Sequence, residues 1–206
     1  MIGERDELDI QNELIQKLVE EQQTLEQAMK HALEAVKPGI SERAYKTISA
    51  TNYSAVLDRS RKWMQLVLRS DPPPQSLCAF YFGLFDTHGR FDHKNEWQQL
   101  YISGADQFDP DDEGEWACDP LWMPKNRYPR IRLMKLIGKL CPYKENQAGF
   151  TLSSSFAAAL AMDHASMITE KTGFGSVDEY PIASGHDAGD IHILGYMTPN
   201  GLRRPS

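Results

Sequence analysis

From Ile15 to Val36 the apolar residues Ile15, Leu18, Leu25, Met29, Ala32 and Val36 recur in three- and four-residue steps, with Gln22 the one polar residue on the stripe. That period predicts an amphipathic helix, ended by the "KPG" at Lys37 to Gly39. The same positions fit a seam of about three heptads, which leaves a structural homo-oligomer through this helix as one reading; the break at Gln22 favours packing on the domain core. A second helical region runs from Ser41 toward Leu68, with a break expected near Thr51-Asn52. Its later part places Tyr53, Leu57, Met64 and Leu68 on one side, widened by Val56, Trp63 and Val67.

"DPPP", Asp71 to Pro74, cannot continue a helix, because proline lacks the amide donor and clashes with the preceding turn. Beyond it "LCAFYFGLF" reads as a central strand buried on both faces, and "EWQQLYISG" as a second strand after the polar loop "DTHGRFDHKN". "PRIRLMKLIGKL" reads as a helix with Pro129 in its first turn and Ile131, Met134, Ile137 and Leu140 spaced by three. In "SSSFAAALAMDHASMITEKTG" a further helix puts Phe156, Leu160, Ala161, His164 and Ile168 on one face, with Gly173 placed to stop it. Finally, "YPIASGHDAGDIHILGYM" reads as a hairpin whose last strand is Ile191 to Met197. The predicted fold class is α+β, an antiparallel sheet of about four strands covered by helices, with N-terminal helices preceding the sheet. One domain is expected over 1–206, made of a helical part (1–70) and an α+β part (75–206).

Composition narrows the partners. A net charge of −7, with 41% hydrophobic and 25% charged residues, describes a folded acidic protein. Nucleic acid is not an expected partner, since duplex binding rests on clustered Lys and Arg. No apolar run approaches the ~20 residues of a membrane span, and "MIGERDELDIQNEL" is acidic where a secretory signal would be basic and then apolar, so the cytoplasm is the expected compartment. Cys78, Cys118 and Cys141 form no CxxC pair, and neither a disulfide framework nor a thiolate zinc site is suggested. Cys78, inside a strand, reads as a small buried hydrophobe.

Candidate chemistry begins with "QFDPDDEGEW". With Asp109 at position 1 of a calcium loop, Asp111, Glu113 and Gly114 fall at positions 3, 5 and 6, but position 12 is Pro120 where a bidentate Glu is needed. Two loops rich in Asp and His, with Asp86, His88, Asp92 and His93 in one and His186, Asp187, Asp190 and His192 in the other, offer imidazole and carboxylate ligands. They leave a metal, and with it a metal-dependent hydrolase, as an alternative reading. His164, on an apolar helix face, reads as a hydrogen-bonded core histidine. "SSSF" lacks the glycine-flanked elbow of serine hydrolases, and "GFGSV" follows a helix and reads as its stop rather than as a phosphate loop. No cofactor is expected.

Charge order carries more information. Seven acids and no bases lie between Asp106 and Asp119, and seven bases and no acids between Lys125 and Lys144. The blocks either pair with each other or the acidic loop presents outward with Trp116 and Trp122 as aromatic anchors, a combination suited to a basic protein partner. The succession "FYFGLFD", "LYISGADQFDPDDEGEWACDPLWMP", a small-residue helix and "GHDAGDIHILG" resembles small acidic immunity-type proteins of bacterial toxin systems. The resemblance implies a non-enzymatic protein that neutralises a basic toxin domain. It implies a partner-binding surface of Asp109, Asp111, Asp112, Glu113, Glu115 and Trp116; the aromatic anchors add Trp122.

Overall fold

The computed structural model describes residues 7–87, 97–112, 114–142, 147–172, 178–187 and 191–205. Among them the chain is α+β, with helices α1 (Glu7–Glu21), α2 (Leu25–Val36), α3 (Glu42–Ser49) and α4 (Tyr53–Ser70) preceding strands β1 (Ala79–Asp86) and β2 (Gln98–Ala105). Helices α5 (Arg132–Leu140) and α6 (Ala148–Thr172) follow, then β3 (Tyr180–His186), β4 (Ile191–Thr198) and β5 (Gly201–Arg203). No helix among the described residues is long and apolar enough to cross a membrane.

The single helix expected from Ile15 to Val36 is two. Gln22 takes a left-handed φ of 50°, and the Gln23 amide donates back to the Leu18 carbonyl, which closes α1. Thr24 then opens α2 with a capping box: its hydroxyl accepts from the Gln27 amide while the Gln27 side chain accepts from the Thr24 amide. Ser41 and Asn52 cap α3 and α4 by a single bond each, accepting from the Ala44 and Ala55 amides, and the expected break at Thr51-Asn52 is there. Helix α1 packs inward, with Ile15, Leu18 and Val19 buried beside α2 and α6.

The sheet has the order β2-β1-β3-β4-β5 and is mixed, a correction to the antiparallel, four-stranded expectation. β1 pairs antiparallel with β2 but parallel with β3, because α5 and α6 intervene and return the chain in the same direction; β3 and β4 form the expected antiparallel pair. The added strand β5 follows a tight turn, and its Arg203 makes a bidentate pair with Glu179.

Helix α6 lies against one face of the sheet, with α1, α2, α4 and α5 packed around it. Residues 151–161 are all buried, so the expected single apolar face is instead burial on every side. Alanines and serines make this possible, since small side chains let both the sheet and the outer helices approach. His164 is in the core as expected, between the rings of Trp63 and Phe82, but among the described residues neither ring nitrogen makes the expected hydrogen bond; Nδ1 lies 3.2 Å from the Asp163 carboxylate as a close polar contact. Arg61 of α4 also grips Asp163, at 2.6 and 3.0 Å. Among the described residues no α-helix covers the opposite face of the sheet. A second, smaller core of Ala79, Tyr81, Tyr101, Trp116, Ala117 and Ala183 forms there, closed by the long connection after β2.

Candidate functional site

The acidic segment is that connection, and it is pinned rather than free. Asp112 accepts from the amides of Gly114 (2.9 Å) and Trp116 (3.0 Å), opening the short 3-10 helix Glu115–Ala117. Gly114 sits at φ 91°, and a Cβ there would fall 2.7 Å from Ile191, so both conformation and space call for glycine. The turn drives Trp116 down onto the sheet, where its ring meets Tyr81 and Phe108 edge-on.

Trp116 is 7% exposed and Trp122 4%. The expectation that they present outward as interface anchors is corrected: both are interior. Trp122 bridges to Gly104 through its backbone and donates its indole N–H to the Asp71 carbonyl, packing against Phe80. The physical reason differs for each: Trp116 covers the aromatic face of the sheet turned away from α6, while Trp122 packs on Phe80 within the main core on the α6 side.

The carboxylates sort differently. Asp109, Asp111 and Glu115 are exposed, Asp112 is half-buried in its capping role, and Glu113 lies outside the described residues. Asp106, Asp109, Asp112, Glu115 and Asp119 surround a hollow of about 440 Å³ with the Phe108 and Trp116 rings in its wall. Among the described residues no ion pair joins this acidic block to the basic block that follows. Arg127 instead stacks on Tyr128 and Lys135 on Trp97. Among the described residues the hollow is therefore a concentration of negative charge with no counter-charge paired to it.

Of the Asp/His loops, the structure brings Asp86 and His186 together at 3.2 Å, beside the Phe150 ring. His88, Asp92, His93 and Asp190 lie outside the described residues, as does the "GFGSV" segment with Gly173. Among the described residues no three His, Cys, Asp or Glu side chains are grouped to hold a metal ion. Cys78 is half-buried, Cys118 exposed and Cys141 buried, and burial pushes the Cys141 thiol up to about 11.

A second constellation was not anticipated. Gly83 in the middle of β1 pairs with Tyr101 of β2, and a Cβ on it would fall 2.3 Å from the Tyr101 ring. Without that Cβ the ring lies flat across β1, and its hydroxyl donates to Asp187 at 2.6 Å, just beyond β3. Burial, then the bond to Asp187, holds the Tyr101 phenol well above the ordinary tyrosine range. Tyr81, 2% exposed, stands beside it with its hydroxyl making no hydrogen bond. An unmet buried hydroxyl of this kind costs about 1–3 kcal/mol. Tyr81, Tyr101 and Asp187 contribute to a cavity of about 420 Å³ that shares only Glu115 with the acidic hollow. The one sequence signal was the glycine inside "FYFGLF", which marks a close approach within a strand. Comparison with family models, curated proteins and solved structures found no match to this chain.

Proposed function

We propose that the chain is a non-enzymatic protein-binding module whose acidic loop receives a basic partner, with neutralisation of a basic toxin domain as its most concrete form. The observation that carries this reading is the uncompensated hollow: Asp106, Asp109, Glu115 and Asp119 line it, and no base among the described residues answers them. Since Trp116 and Trp122 are interior, affinity at this surface must come from side chains the partner brings. An arginine or lysine suits the hollow, because its charge meets the carboxylates while its stem or guanidinium lies on Phe108 and Trp116. Exposed charge also steers a basic partner toward the loop, an effect screened over about 8 Å at physiological ionic strength.

The test compares wild type with a variant carrying Asp106→Asn, Asp109→Asn, Asp111→Asn and Glu115→Gln. Asp112 is left alone because it caps the turn. Proteins captured from the native cell at low salt are identified, and their on-rates are measured with both forms. A basic protein held by wild type, whose on-rate falls in the variant by a margin that shrinks with salt, supports the proposal. Equal association with both forms overturns it.

A further inference from the structure

We propose that the cavity over Tyr81 and Tyr101 is a binding site for a small organic cation, an ammonium or guanidinium group held between two tyrosines and the Asp187 carboxylate. This goes beyond the acidic hollow, which lies on the other side of the Glu115–Ala117 turn.

The first ground is the Tyr81 hydroxyl. It is buried and finds no hydrogen-bond partner among the described residues, which native interiors seldom leave uncorrected unless a water or a ligand completes the group. Tyr81 lines the cavity together with Asp187 and Cys118, and after burial itself the charges of those two residues act on its phenol. The same influences hold the phenol well above the ordinary tyrosine range, so it stays neutral and serves as an acceptor for an N–H donor.

The second ground is the charge and shape of the walls. Asp187 gives one oxygen to Tyr101 and receives no other side-chain donor among the described residues, and the residue is exposed at the rim. Glu115 adds a second carboxylate; among the described residues the cavity lining holds no lysine or arginine, and its one histidine, His186, lies 3.2 Å from the Asp86 carboxylate. The remaining walls include Ile191 and Met123, and the edge-on packing of the two tyrosines, with centroids 5.9 Å apart, presents aromatic surface at two angles. An anion would meet the Asp187 and Glu115 carboxylates here, and a purely apolar ligand would leave the phenol and the carboxylate unanswered. A cation bearing several N–H donors answers all three features: the carboxylate, the orphan phenol oxygen and the ring faces. The cavity volume of about 420 Å³ falls within the ~300–1,000 Å³ of small-molecule sites and leaves room for an alkyl stem behind the charged head.

Agmatine, a free guanidine with an amine, and N-acetyl-arginine N-methylamide, which mimics an arginine in a partner's chain, are titrated calorimetrically, with glutarate as the anionic control. Binding of either cation and not of glutarate is expected. Preference for agmatine points to a free ligand, and preference for the blocked arginine to a side chain delivered by a partner. Tyr81→Phe keeps the ring and removes the unmet hydroxyl; it should fold at least as stably as wild type and bind about threefold more weakly. Asp187→Asn should weaken binding about tenfold or more. Alkylation of the exposed Cys118 in the cavity wall should slow when the cation is bound. A variant carrying only Asp106→Asn, Asp109→Asn and Asp111→Asn leaves the described lining of this cavity in place and should bind the probe as wild type does; failure of the hollow and failure of this site therefore read separately. Absence of binding by both cations at millimolar concentration, or affinity unchanged in both Tyr81→Phe and Asp187→Asn, overturns the proposal.

Discussion

At the residue scale, one missing Cβ organises the uncovered face of the sheet. Gly83 lets the Tyr101 ring cross β1 and reach Asp187, so Gly83→Ala should force the ring away and break that hydrogen bond. Overpacking of this kind costs about 1–3 kcal/mol, measurable by urea denaturation, together with a changed near-ultraviolet tyrosine signal. Full stability with an unchanged spectrum would show that the ring moves without cost. Asp163 makes the pH prediction. Burial pushes its carboxyl up, but the close His164 imidazole and the hydrogen bonds from Arg61 outweigh this and hold it down to about 2, against an ordinary value of 3.8. A depressed folded value means the carboxylate stabilises the fold above pH ~4 and loses that contribution as pH falls toward 2. Urea midpoints should decline across that window, and Asp163→Asn should flatten the decline while lowering stability at neutral pH.

At the element scale, helix ends and one indole set the architecture. Gln22 closes α1 in a left-handed conformation that costs a side-chain-bearing residue roughly 1–2 kcal/mol, so Gln22→Gly should stabilise the protein by up to about 1 kcal/mol once glycine's extra chain entropy is deducted. A loss of stability, read from the melting temperature, would mean that the Gln22 side chain contributes a contact worth more than the strain. Trp116 pins the acidic connection to the sheet. Trp116→Ala should lower stability by about 3–5 kcal/mol and raise amide exchange across 106–117. Were the ring an interface anchor, the variant would instead keep its melting temperature and lose only binding.

At the scale of the molecule, α6 is the element that both the sheet and the N-terminal helices require. It is buried on every side between Thr151 and Ala161, so neither 1–70 nor 75–206 holds a complete core alone. Unfolding should therefore be one transition, with far- and near-ultraviolet circular dichroism coincident in urea. Two separated transitions would show that the helical part folds on its own. The same arrangement leaves the sheet asymmetric. One face is sealed by α6; the other is covered, among the described residues, by the connection after β2, and it is on this second face that the acidic hollow and the tyrosine-lined cavity form.

Local patterning determined much of this. The periodicity located the helical segments, the polyproline break and four of the five strands, and the α+β class followed. Even the split of the first helix was written in Thr24 and Gln27, a capping signature three residues apart that the apolar stripe running through it obscured. The acidic loop was legible as charge, because exposed carboxylates need no tertiary partner to be acidic. What only the tertiary structure decided were relations between distant segments: the parallel pairing of β1 with β3, the burial of Trp116 and Trp122, and the meeting of Tyr81, Tyr101 and Asp187. Pairing direction depends on how a long connection returns, and burial depends on which face of a sheet is left uncovered. A glycine in β1 acquires its role only when a ring from β2 lies over it on the way to a carboxylate beyond β3. Neither local propensity nor hydrophobic period encodes such a coincidence, because each is a property of neighbours along the chain.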